Sequence, residues 1–270
     1  MTVNFTHDKS AQRKRKNLSE RKLQLPTQAL GFFLTLTHKI PMRIVEIFPS
    51  KQGEGLWTGV ESVFVRAVGC HLRCRYCDTP YAFWEGGEGE DLCVEEIAGR
   101  VMLLEKRHVV ITGGEPMLHA ELVPLTELLK SLGLTITVET SGTLDLPVLC
   151  DLISVSPKLS NSTPGKDVDK ILVRRHEANR DKIDVVRKLI SRYDYQLKFV
   201  VDTENDLPEI GSYIEGFEKL IKNRVLLMPQ GTDQKTLSEK ADWIAPYCRE
   251  NGYTFCPRMH IQWYGNKRGV

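Results

Sequence analysis

Three cysteines crowd into one short loop: Cys70, Cys74 and Cys77 in GCHLRCRYCDTPYAFW, residues 69–84. Thiolates at C-x3-C-x2-C spacing are soft ligands, suited to zinc or to iron–sulfur clusters. A closed structural zinc site takes four ligands, and ordinary [4Fe–4S] clusters take four cysteines. No fourth cysteine or histidine follows at metal-ligand spacing, and Cys93, Cys150, Cys248 and Cys256 are scattered. Zinc stays open if one of those folds in. Three thiolates on a four-iron cluster would leave one iron open, and an open iron can bind a substrate or cofactor.

The elements around the loop must position it. RIVEIF (43–48), 62–68, 108–112, 135–140, 152–156, 195–201 and 224–228 read as strands, rich in β-branched and apolar residues. Helical periodicity covers 93–105, 120–132, 179–193, 206–222 and 234–251, and YTFCP begins a last extended piece. Strands alternating with helices imply a parallel sheet with right-handed crossovers, with chemistry at the strands' C-terminal ends. The cysteine loop follows the strand SVFVRAV and so lies at such an end. ITGGEP (111–116) follows HVVIT in the same way. Its glycines suit a tight strand-to-helix turn, or the close approach of backbone carbonyls to a ligand that a Cβ would block.

Composition narrows the classes. With 270 residues, 41% hydrophobic and 27% charged, the chain reads as an ordinary globular protein. Seven cysteines without a framework spacing suggest a reducing cytoplasm rather than disulfides. No run approaches the roughly 18 apolar residues of a membrane span. Residues 1–41 hold eight Lys/Arg against Asp8 and Glu20, and read as a poorly ordered basic extension before a domain over 42–270. Alternatives for that stretch are a targeting peptide, a nucleic-acid arm, or translation that truly starts at Met42. The net charge of +2 then leaves a mildly acidic body, which argues against nucleic acid.

C-x3-C-x2-C with an aromatic, Tyr76, before the last cysteine, together with the GGEP turn, resembles the radical S-adenosylmethionine (SAM) superfamily. PSKQGEGLWTGV (49–60), FVRAVGC, CDT, ETSGT (139–143), SVSPKLS (154–160), LMPQG (227–231) and the ending CPRMHIQWYGNKRGV resemble the 7-carboxy-7-deazaguanine synthases within it. The likeness runs from Met42 to Val270. It implies an α/β fold, a partial, modified TIM-like (β/α) barrel with a mainly parallel sheet. The implied cofactors are a [4Fe–4S] cluster, SAM and Mg²⁺. The implied reaction is a carbon–nitrogen lyase type ring contraction of 6-carboxy-5,6,7,8-tetrahydropterin to 7-carboxy-7-deazaguanine, with loss of ammonia. An adenosyl radical abstracts a hydrogen atom and returns it, so SAM is regenerated. The implied partners are a flavodoxin or ferredoxin-type electron donor and a second copy in a homodimer, with no nucleic acid and no membrane.

Roles follow from the resemblance, each beside a plainer reading. Cys70, Cys74 and Cys77 match the cluster ligands. Thr79 matches a Mg²⁺ ligand, a hydroxyl that a hard cation accepts; otherwise it is a turn former before Pro80. Lys51, Gln52, Gly53 and Glu54 match a substrate loop in which an amide and a carboxylate can read a pterin edge; a flexible turn is the alternative. Arg66 suits a substrate carboxylate, or else forms an inward-facing ion pair. Thr112, His260 and Val270 match further substrate contacts, although a lone histidine is more often structural. Tyr76, Cys77, Asp78, Gly114, Ser156, Pro157, Lys158 and Gln230 match the SAM site. Glu85, Glu88, Glu90 and Asp91 read as a solvated acidic turn with no chemistry. Rival readings are another small radical SAM enzyme, such as a glycyl-radical activase, and a non-catalytic zinc or iron–sulfur module.

Overall fold

The computed structural model describes residues 40–83 and 88–270. The extension over 1–39, and Glu85 of the acidic turn, lie outside the described residues. Nine strands form one sheet in the order β3-β1-β2-β4-β5-β6-β7-β8-β9. These are β1 (Met42–Lys51), β2 (Glu61–Ala67), β3 (Glu90–Leu92), β4 (His108–Gly113), β5 (Thr135–Thr140), β6 (Leu152–Val155), β7 (Tyr195–Val201), β8 (Val225–Pro229) and β9 (Thr254–Phe255). From β2 through β9 every neighbouring pair is parallel, whereas β1 runs antiparallel to both β2 and β3.

The helices are α1 (Val94–Leu103), α2 (Leu122–Ser131), α3 (Lys170–Arg180), α4 (Ile183–Arg192), α5 (Leu207–Glu215), α6 (Gln234–Asn251) and α7 (Met259–Tyr264). Local chemistry sets their ends. The Asp233 side chain accepts from the Thr236 N–H at the start of α6, and Gly252 closes it in the left-handed region at φ 74°. The Glu96 carboxylate accepts from the Cys93 N–H at the start of α1.

Strand β7 shows how the sheet divides its residues. Tyr195, Leu197, Phe199 and Val201 join the apolar core with the helices. Lys198 and Val200, one position out of phase, line a central cavity. Phe48, Phe64, Thr112, Glu139, Ser154 and Met228, from six other strands, line the same cavity. Seven strands can surround one space only if the sheet curls, which gives a partial TIM-like barrel. Among the described residues its two edge strands, β3 and β9, are not paired with each other. Side chains and one backbone bond, Met259 N–H to the Gly53 carbonyl at 2.9 Å, cross the open side.

Four sequence readings need correction. The helix expected over 179–193 is two helices, α3 and α4; α3 is so polar that its periodicity is faint. The helix over 206–222 stops at Glu215, and a single 3-10 turn, Lys222–Arg224, precedes β8. Glu90 and Asp91 are not in a turn but in β3, paired with β1, and Glu88 binds Arg268 at 2.6 Å. The last extended piece is only two residues long, and α7 follows it.

Candidate active site

The antiparallel course of β1 decides where the loop over 52–55 goes. Lys51 pairs with Glu61 at the start of β2, so residues 52–55 leave β1 at the N-terminal end of the parallel strands. The cysteine loop leaves β2 at the opposite end. Between them lies a cavity of about 590 Å³.

At the C-terminal end, Cys70, Cys74 and Cys77 all line the cavity, and none of the other four cysteines does. The loop is anchored throughout. Its entry is fixed by Gly69 N–H to Ala82 O at 2.8 Å. Its middle is held by Arg73 N–H to His176 Nδ1 at 3.1 Å and Arg75 N–H to Ser162 O at 3.0 Å. Burial raises the Cys70 thiol to about 12, Cys74 to about 11, and Cys77 in the same direction. Metal loading must therefore release protons here. No three His, Cys, Asp or Glu side chains among the described residues converge on one point as ligands of a single ion. Three thiols spread around the cavity fit a cluster, whose ligands sit on separate irons, better than a closed zinc site.

The GGEP turn packs directly against this loop. Gly114 N–H donates to Ala67 O at 3.1 Å, and Glu115 N–H to Gly69 O at 2.8 Å. A Cβ on Gly114 would run into the Gly69 carbonyl, so the glycine permits loop to meet loop. Glu115 is fully buried. It accepts from Thr140 Oγ1 at 2.7 Å, from the Ser141 N–H at 2.8 Å, and from the Ser141 hydroxyl. It thereby ties β4 to the ETSGT turn after β5, and that turn returns to the cysteine loop through Thr143 and His71 Nε2 at 2.9 Å.

The other expected cofactor residues lie around the same end. Tyr76, Asp78, Ser156, Lys158 and Gln230 line the cavity; Pro157 does not, being buried behind it. Lys158 Nζ donates to the Ser156 carbonyl and hydroxyl at 2.8 and 2.7 Å. Lys240 donates to the Gln230 carbonyl at 2.7 Å and its side-chain oxygen at 3.2 Å. Thr79 Oγ1 stands 3.8 Å from Cys77 Sγ, at the cavity wall.

At the floor the loop 52–55 turns inward. Gln52 donates to Glu139 at 3.2 Å, and Thr112 donates to the other Glu139 oxygen at 2.9 Å. A Cβ on Gly53 would sit 2.6 Å from His260 Nδ1, so this glycine lets the start of α7 close on the loop. Glu54 is paired with Lys198 through one oxygen and with Arg258 Nε at 3.1 Å through the other. Burial works to raise the Glu54 carboxyl, but Lys198 and then Arg258 outweigh it and hold it far below the usual carboxylate range. Burial would lower Lys198, and Glu54 more than reverses that. Burial lowers His260, although Glu54 opposes it. Lys51 and Val270 also line the cavity.

Arg66 forms the inward-facing ion pair of its plainer reading. Its Nε donates to Glu46 at 2.7 Å, while its terminal Nη groups make no side-chain pair among the described residues. Glu46 also takes Arg268 at 2.9 Å, which stacks over the Tyr81 ring at 4.1 Å. The residues missed from sequence are Glu139, Lys198, Glu115 and Arg258. The signal for the first two was a lone charge inside a strand of a buried parallel sheet, which can only face a polar interior.

Comparison with known proteins agrees with this geometry. Residues 64–206 match the Radical SAM superfamily. A 7-carboxy-7-deazaguanine synthase of Rhodopirellula baltica is 43% identical over 228 residues, 84% of this chain and 88% of that protein. The chain belongs to the 7-carboxy-7-deazaguanine synthase family. A member from Halobacterium salinarum is 41% identical over 81% of this chain and 88% of its own length. The crystal structure of QueE from Escherichia coli superposes with a TM-score of 0.60 at 25% identity, covering 82% of this chain and 95% of that one. Family membership brings an iron–sulfur cluster and SAM, and the three thiols at the cavity are the donor set that fits the cluster. No helix among the described residues is long and apolar enough to cross a membrane.

Proposed function

We propose that this chain is the 7-carboxy-7-deazaguanine synthase of a queuosine-type pathway. It contracts 6-carboxy-5,6,7,8-tetrahydropterin to 7-carboxy-7-deazaguanine with loss of ammonia, a carbon–nitrogen lyase type reaction. The observation that carries the reading is a single cavity with three thiols at one end and the buried Gln52–Glu54 floor at the other. When bound, the [4Fe–4S] cluster and SAM supply reversible hydrogen-atom abstraction at carbon, here C6 of the pterin.

The chain's own residues bind and orient. Cys70, Cys74 and Cys77 hold the cluster. Gly114, Ser156, Lys158 and Gln230 hold the amino-acid part of SAM, Tyr76 and Asp78 its adenine, and Pro157 shapes the turn from behind. Each Glu54 oxygen already accepts one cationic donor and keeps a further lone pair for a pterin N–H. Gln52 and Thr112 are fixed on Glu139 and face the same ring. The terminal donors of Arg66 suit the substrate carboxylate. Lys51, Gly53, His260 and Val270 complete the wall. Thr79 joins the Mg²⁺ shell. A flavodoxin or ferredoxin-type protein delivers the electron, and the enzyme works as a cytoplasmic homodimer.

The test is anaerobic reconstitution with iron and sulfide, followed by carboxytetrahydropterin, SAM, Mg²⁺ and dithionite, with products read by mass spectrometry. The expected product is 7-carboxy-7-deazaguanine without net SAM consumption, lost in Cys74→Ala and kept in Cys93→Ala. A loaded cluster that cleaves SAM but leaves the pterin unchanged would overturn the assignment.

A further inference from the structure

The proposed chemistry needs one electron at the cysteine loop, and α3 is the helix that braces that loop. We propose that the outer face of α3 is the docking site for an acidic one-electron carrier protein, an inference that rests on the reading above. The inner face is fixed to the loop. His176, fully buried, accepts from the Arg73 N–H at 3.1 Å and meets the Ser162 hydroxyl at 3.0 Å. Ser162 O in turn takes the Arg75 N–H at 3.0 Å. Both neighbours of Cys74 thus hang on α3 and the turn beside it. The outer face is then about one helix diameter, ~10 Å, from the loop.

That outer face has a distinct character. Lys170, Ile171, Arg174, Arg175 and Ala178 recur at helical spacing opposite His176, and all are exposed. Ile171 is 72% exposed. Lys170, Arg174 and Arg175 make no side-chain ion pair or hydrogen bond among the described residues. Nearby acids are partly engaged: Asp169 caps the helix at the Ile171 N–H, and Glu177 binds Thr163 and Arg180. Asp167 and Asp181 flank the face. Several other surface cations are neutralised in pairs, as in Arg100–Glu90, Arg187–Asp184 and Arg192–Asp145, although exposed Arg107 and Lys188 also make no side-chain pair among the described residues. Lys219, Lys222 and Arg249, without a side-chain partner among the described residues, sit before β8 and β9, at the end of the sheet away from the cysteines. Three free cations around one exposed isoleucine suit a transient partner: the charges steer it and the apolar side chain seats it. In the docked complex the carrier is oxidised by one electron, the cluster goes from its 2+ to its 1+ state, and no bond in the chain breaks.

The experiment compares K170E/R174E/R175E with K219E/K222E/R249E, which changes net charge equally at the far end. The probe is an acidic flavodoxin, with affinity measured by anaerobic biolayer interferometry and turnover driven by that flavodoxin or by dithionite. The α3 variant should bind about tenfold or more weakly at low ionic strength, with the difference shrinking in salt. Its flavodoxin-driven turnover should fall while dithionite-driven turnover holds. Equal affinity of the α3 variant and wild type, or equal weakening in the far-end control, overturns the docking face. If the triple reversal unfolds α3, Arg174→Gln with Arg175→Gln carries the same comparison with a smaller change. Wild type inactive with dithionite would sink the reaction instead, and the binding constants would still decide the face.

Discussion

Glu54→Gln tests the floor of the cavity most directly, because it removes a charge while keeping the shape. Lys198 and Arg258 have side chains only 7% and 6% exposed, and Glu54 faces both. Arg258 keeps Asp78 and the Gly231 carbonyl, but Lys198 loses its only ion pair among the described residues. Removing one partner of a buried pair costs about 3–5 kcal/mol. Glu139 still faces Lys198 electrostatically, so the lower value, about 3 kcal/mol, is expected. For a domain this size that is a drop of roughly 6–12 °C in Tm. The pH dependence has a definite sign. In the native protein the Lys198 pKa is raised, so its stabilisation is complete below the unfolded value of 10.5 and is lost only as pH rises past the native value. Without Glu54, burial is opposed only by Glu139 and Cys256, and the expected result is a Lys198 pKa below the unfolded value. The unfolded chain then binds more protons, and stability rises with pH. The deficit of the variant, read by urea unfolding, should therefore narrow from neutral to alkaline pH, and Lys198→Met in the same chain should recover most of it. A loss under about 1 kcal/mol, or a deficit that neither narrows with pH nor responds to Lys198→Met, would refute the reasoning.

Two further outcomes are expected. Gly114→Ala puts a Cβ against the Gly69 carbonyl, so iron content after reconstitution should fall and SAM affinity should weaken; full cluster loading would show that the two loops can part without consequence. His108 and His176 are both lowered by burial from 6.5 to about 4, so each stays neutral in the fold while the unfolded chain takes up a proton. Stability should therefore fall between about pH 7 and 5 by about 2 kcal/mol for each histidine, and a urea midpoint unchanged over that interval would exclude it.

The sequence exposed the architecture where burial on both faces leaves a plain apolar signature. HVVIT, TITVET and RVLLM are strands because nothing else buries such runs between a cavity and a helix layer. It concealed α3, whose polar outer face leaves His176 as its one buried side chain, and β3, whose three residues owe their place to pairing with β1. The direction of β1 was equally hidden, because alternation says nothing about polarity along the sheet. The site was legible at its glycines and cysteines, where spacing carries meaning. It was poorly legible in its ion pairs, because Glu54 with Lys198 is 144 positions apart in the chain and Arg258 with Asp78 is 180 apart.

Those long-range pairs explain why the cavity is one site rather than two. The antiparallel β1 sends Gln52–Glu54 to the end opposite the cysteines, so on the proposed reading a substrate on the floor and a cofactor at the cysteines would face each other across the barrel. A sheet with an unpaired side would let the two ends shift independently. Arg258 prevents that: Nε holds Glu54 at the floor, Nη1 holds the Gly231 carbonyl after β8 at 2.6 Å, and Nη2 holds Asp78 beside Cys77. Its planar donor set can satisfy all three at once, which a lysine cannot do with fixed geometry. Two carboxylates facing the buried guanidinium offset part of its desolvation. Hydrogen-atom transfer depends on holding two carbon centres at near-contact distance. On the proposed reading, a buried arginine bonded to both loops would set that separation in the fold itself.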